Sequence, residues 1–110
     1  MEQNKHNYNI NEVARELRLD PVALRKLLDE FIESEQEYLN PLKESIKERE
    51  FERIHIAAHA LKGTALELRL KKLAQVANEI SENAKNKTII DYYSLYKEIK
   101  NLFLYLKNRF

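Results

Sequence analysis

The chain has 110 residues, the length of one domain, and its 44% hydrophobic and 34% charged content excludes wholesale disorder. Its 19 basic and 18 acidic side chains nearly cancel, leaving +1, which removes a broad basic field for nucleic acid as the default reading. Cysteine is absent and glycine occurs once, so disulfides, thiolate metal sites, phosphate-cradling loops and dinucleotide fingerprints are excluded. No apolar run approaches the ~18 residues of a membrane span, and the polar start carries no signal-peptide pattern, so a cytoplasmic location is expected.

Residues 1–9 read as a flexible tail, and residues 10–110 as the folded unit. Ile10, Val13 and Leu17 recur at helical spacing and predict a short helix over 10–19. Asp20-Pro21 is a start signal, an acidic cap followed by a proline suited to the first helical position. From there Leu24, Leu27, Leu28, Phe31, Ile32, Tyr38, Leu39, Leu42 and Ile46 predict one long amphipathic helix over 21–48. Pro41 should kink it, because proline removes an amide and crowds the preceding turn. The polar run Lys47 to Glu50 is the expected reversal.

Phe51, Ile54, Ala58, Leu61, Ala65 and Leu68 then alternate steps of three and four, the pattern of a bundle seam. The step from Leu68 to Leu70 breaks phase, which places a turn near 69–71. Leu70, Leu73, Ala77, Ile80 and Ala84 carry the next helix to about Lys85. Thr88-Ile89-Ile90-Asp91 resembles a capping box with Asp in place of Glu. A last helix follows, with Tyr92, Tyr96, Ile99, Phe103, Leu106 and Phe110 on one face. Long helices with short connections predict an all-α protein: an antiparallel up-down four-helix bundle with a short extra N-terminal helix.

The helix over 51–68 has an unusual outer side. At about 100° per residue, His59 lies roughly 130° from the seam direction, so its ring should face solvent. His55 lies one turn earlier on that flank and Lys62 three residues later. Ile56, Ala60, Gly63 and Leu66 also fall outward. An ordinary solvated face would be built of residues such as Glu79, Glu82 and Lys85. Glycine inside a helix costs about 1 kcal/mol relative to alanine. This chain spends its only glycine there, one turn from an exposed histidine, and the physical reason for such a glycine is close approach by another molecule.

The run Ala58-His59-Ala60-Leu61-Lys62-Gly63-Thr64-Ala65-Leu66-Glu67-Leu68 resembles the signature of histidine-containing phosphotransfer (HPt) domains, His-x-Leu-Lys-Gly-Ser/Thr-Ala-x-x-Leu. Those domains are four-helix bundles that relay a phosphoryl group to and from the aspartate of response-regulator receiver domains. The similarity extends over most of the chain: the long apolar helix, the pair Glu50-Phe51, the His helix, its hairpin partner and the terminal helix occur in the family's order. The resemblance implies that His59 is the phosphoacceptor, that Lys62 stabilises charge and that Gly63 gives access. It implies a receiver domain or hybrid histidine kinase as partner; the balanced charge and the absence of a long apolar run predict no nucleic acid or membrane, and a monomer is expected. No cofactor is expected, since Mg²⁺ would sit on the receiver. His55, Ile56, Ala60 and Leu66 are the expected docking residues. The chemistry suits these residue types: a neutral imidazole is a competent nucleophile toward phosphorus, and a cation one turn away offsets the charge of the transferred group. One position departs from the pattern. Arg69 stands where the family usually has glycine, so either it takes a left-handed conformation or the turn shifts by a residue or two.

Other readings compete. A helical docking module that is never phosphorylated would share the fold. A histidine kinase would need a glycine-rich ATP lid, which this chain lacks. His55 and His59, four apart, could bind a metal with Glu52, although that third ligand would be flexible and exposed. His6 reads as a surface residue of the tail. The tyrosines of the last helix read as core and rim, because no basic stripe interleaves them in the manner of a nucleic-acid platform.

Overall fold

The computed structural model describes residues 8–110; most of the expected tail, His6 included, lies outside the described residues. Tyr8 and Asn9, assigned to that tail, belong to the fold. Asn9 caps α1 (Ile10–Leu17) by accepting from the Glu12 amide at 3.0 Å. The Tyr8 hydroxyl donates to the Leu68 carbonyl at 2.7 Å, and its ring meets Phe110 edge-on.

α2 (Pro21–Glu33) starts as its sequence predicts, with Asp20 Oδ1 accepting from the Val22 amide at 2.7 Å and Pro21 in the first turn. The expected single helix over 21–48 is two helices, and the division falls at Ser34 instead of Pro41. The Ser34 hydroxyl donates to the Phe31 carbonyl at 2.8 Å, and its amide is shared between the Glu30 and Phe31 carbonyls, both at 3.1 Å. A serine that bonds its own backbone competes with the helix ladder, which ends there. α3 (Glu35–Lys47) runs through Pro41. Pro41 and Glu37 are both exposed, so water can satisfy the carbonyl that proline leaves without an amide.

α4 (Phe51–Glu67), α5 (Lys71–Lys85) and α6 (Tyr92–Arg109) complete the architecture. α3 packs on α4, α4 on α5, α5 on α6, and α6 returns to α3, which closes a four-helix bundle. α2 covers α3 and α6, and α1 packs on α2. Leu39, Leu42, Ile54, Leu61, Ile80, Ile99 and Phe103 are fully buried at its centre. Glu35 is also buried and forms an ion pair with Lys107, tying the start of α3 to the last turns of α6. The α6 cap lies three residues beyond the expected Thr88 box: Asp91 accepts from the Ser94 amide and hydroxyl at 3.0 and 2.7 Å. The Thr88 amide is already committed to the Asn83 carbonyl at the end of α5.

A chain this poor in glycine must turn with other residues. Arg18, Arg49, Arg69 and Lys87 all take positive φ, between 56° and 61°. Each closes a helix with the same pair of bonds; at Arg69 these are Leu70 N–H to Ala65 O at 2.8 Å and Arg69 N–H to Leu66 O at 3.0 Å. The left-handed conformation costs a side chain roughly 1–2 kcal/mol. A basic residue recovers part of that cost beside the negative end of a helix dipole. Arg69 therefore resolves the expected alternative in favour of the left-handed conformation, with no shift of the turn.

Candidate functional site

The site sits on the outer side of α4, and the inner side explains its rigidity. Ile54, Ala58, Leu61 and Ala65 expose 1% of their surface or less. Burying a leucine or isoleucine fully stabilises by about 1.5–3 kcal/mol, so this stripe fixes the rotation of α4 about its axis. Beside Leu73, Val76 and Ile80, the buried residues of the partner helix α5 are small, Ala74, Ala77, Ser81 and Ala84, as are Ala58 and Ala65 of α4. Small side chains let two backbones approach closely, and α4 and α5 form the most intimate pairing in the fold.

With α4 so fixed, His59, Ala60 and Gly63 are exposed as the wheel predicts, and so are Ile56 and Leu66, at 59% and 48%. Among the described residues nothing lies within 4 Å of the point where a Cβ on Gly63 would stand. Its φ is not positive. Neither packing among the described residues nor backbone conformation therefore requires glycine at 63. Lys62 is half-buried and has no acidic partner among the described residues, so its ammonium charge is uncompensated on the flank of His59. The Tyr38 and Thr64 hydroxyls are bonded at 2.9 Å, which pins α3 to α4 beside Gly63.

His55 is half-buried, in contrast to His59. Its Nδ1 lies 2.9 Å from Ser81 Oγ and 3.0 Å from the Ser81 carbonyl oxygen on α5. The two imidazole rings are neighbours, with centroids 5.7 Å apart. The structure thus brings together His55, His59, Lys62 and Gly63. Among the described residues Glu52 does not complete a three-ligand metal group with the two histidines.

No motif in the sequence singles out Ser81, and Tyr38 reads there only as part of an apolar stripe. Each belongs to a helix other than α4, and their contacts depend on how neighbouring helices register. The one sequence signal for Ser81 is a hydroxyl within the small-residue stripe Ala74, Ala77, Ala84, where an apolar residue would be expected.

Comparison with curated proteins gives no match, and comparison with solved structures gives none. A family model for the Hpt domain matches residues 26–108, from within α2 almost to the end of α6 and so across the whole site. With its helical bundle and its histidine-bearing α4, the chain belongs to the Hpt domain family, the phosphotransfer carriers of two-component systems.

Proposed function

We propose that this protein accepts a phosphoryl group on His59 and exchanges it with the aspartate of response-regulator receiver domains. The observation that carries the reading is the pairing of an exposed imidazole with an uncovered glycine one turn away on a helix whose rotation is fixed by its core face. The unprotonated nitrogen of the neutral His59 ring attacks phosphorus as the bond to the aspartyl oxygen breaks. The carboxylate leaves with that electron pair, and the other ring nitrogen keeps its proton. The return step reverses these changes. Little covalent chemistry falls to the protein, so catalysis is positioning and charge stabilisation. Lys62 supplies charge on this side and the receiver supplies Mg²⁺. Gly63 leaves room for the receiver's aspartate loop, and Ile56, Ala60 and Leu66 offer apolar surface around the ring. A cytoplasmic location suits such a relay.

Incubation with a receiver domain phosphorylated on aspartate tests the reading. The expected result is a phosphate on this chain that is labile in acid and stable in base. Mg-ATP alone should leave the protein unlabelled. Labelling by ATP alone, or no transfer from any receiver, counts against the proposal.

A further inference from the structure

His59 has a neighbour whose chemistry the transfer step does not use. The His55 ring lies one turn earlier, with centroids 5.7 Å apart and planes inclined by 35°. That separation lies within the range of interacting ring pairs. His55 is itself held from another helix, through the contacts of its Nδ1 with Ser81 of α5 at 2.9 Å (Oγ) and 3.0 Å (carbonyl oxygen).

The position of the proton follows from counting partners. Ser81 is fully buried, and a buried hydroxyl proton needs an acceptor. Among the described residues, Nδ1 of His55 is the hydrogen-bond partner of Ser81 Oγ, and it has no other. The Ser81 carbonyl, 3.0 Å from the same nitrogen, could accept a second proton but already has a donor, the Lys85 amide of the helix ladder, whereas the hydroxyl proton has Nδ1 alone. The hydroxyl is therefore the donor and Nδ1 the acceptor. A neutral imidazole that accepts at Nδ1 carries its single proton on Nε2.

We infer that His55 is a positioning residue for the phosphoacceptor: the Ser81 hydroxyl fixes its ring and its Nε2–H tautomer, and that fixed ring holds His59 in one orientation. The inference rests on the phosphocarrier reading. It makes α5 a second determinant of transfer geometry beside α4. An exposed imidazole on its own would turn freely about two side-chain bonds. Here a wall anchored to the neighbouring helix removes part of that freedom before a partner arrives.

Two measurements test it. Long-range ¹H–¹⁵N spectra of unphosphorylated protein at about pH 8.5, where an ordinary imidazole is neutral, read the tautomer directly. His55 should be in the Nε2–H form, and Ser81→Ala should move it toward the Nδ1–H form that donates to the remaining carbonyl. A parent His55 carrying its proton on Nδ1 overturns the assignment. The second measurement uses phosphoramidate, a donor too small to need a docking surface. The unprotonated ring nitrogen of His59 attacks phosphorus as the phosphorus–nitrogen bond breaks; ammonia leaves with that electron pair and takes a proton from water, and the other ring nitrogen keeps its own. His55→Asn keeps an acceptor for the Ser81 hydroxyl, so the fold is preserved, but it removes the ring beside His59. Labelling should slow on the order of 10-fold in His55→Asn, and less in Ser81→Ala, at parent melting temperature. His55→Phe, which keeps a ring without the anchor, should fall between His55→Asn and the parent. Parent rates in all three variants overturn the positioning role and leave the carrier reading intact. A parent that takes no phosphate from either phosphoramidate or receivers overturns both, and the tautomer spectra then stand as a structural result alone.

Discussion

The two sides of α4 obey different rules. On the inner side Ile54, Ala58, Leu61 and Ala65 are sealed from solvent within the hydrophobic core, and burial explains each apolar identity. On the outer side Ile56 is 59% exposed and Gly63 has open space around it, and nothing among the described residues explains either. The difference teaches where to look for function. Residues whose identities the fold dictates report stability, and residues whose identities cost stability without return inside the fold report a partner.

The largest stability effect should come from the inner side. Leu61→Ala removes a fully buried side chain and should cost about 2–5 kcal/mol, read by denaturant unfolding. The fraction that remains folded should still accept phosphate at the parent rate. A loss below about 1 kcal/mol would mean that this stripe does not hold α4.

Gly63 should give the opposite pattern. Gly63→Ala should stabilise by up to about 1 kcal/mol, because the position is helical and open. Gly63→Leu should also fold, yet its transfer to a receiver should slow by about 100-fold, since a misplacement near 1 Å at the reacting atoms costs that much. Labelling by phosphoramidate should change far less. A Gly63→Leu protein that melts well below the parent would make glycine a packing requirement and erase the distinction between the two sides.

Arg69→Gly should have the smallest effect of these three. Glycine relieves the cost of φ 61°, a gain of roughly 1 kcal/mol. Against it stand the hydrogen bond from Arg69 to the Leu66 carbonyl at 3.1 Å and the exposed ion pair with Glu16 at 3.5 Å. Such surface contacts are worth about 0–1 kcal/mol. The melting temperature should therefore stay level or rise slightly, with transfer unchanged. A clear drop would show that the Arg69 side chain holds α1 against the α4–α5 turn.

Much of this was legible in the residues. The alternation of threes and fours placed the core side of α4, and Asp20-Pro21 marked the start of α2. The outward placement of His59 and Gly63 followed from the same wheel. Other features were not legible, for identifiable reasons. Ser34 ends α2 through a hydroxyl bond to its own backbone, while Pro41, the stronger breaker on paper, is tolerated on a wet face. Thr88 and Asp91 both resemble caps, and the choice depends on Thr88 already closing α5. Tyr8 has no local reason to be ordered; its hydroxyl finds the Leu68 carbonyl, 60 residues away. Burial pushes that hydroxyl up to about 12, so it stays protonated while it donates. The contact of His55 with Ser81 likewise spans 26 residues and exists only once α4 and α5 are in register. Periodicity shows which face is buried, and it is silent on which side chains meet across helices.

The central claim is that the outer side of α4 carries chemistry the fold does not need, and His59→Gln tests it most directly. The parent and this variant are exposed to the same phosphorylated receiver, and acid-labile phosphate and melting temperature are read on both. His59 is exposed, so its replacement should change stability by less than about 0.5 kcal/mol. The account predicts a variant that melts with the parent and carries no phosphate; a variant that melts with the parent and is labelled as well as the parent would contradict it.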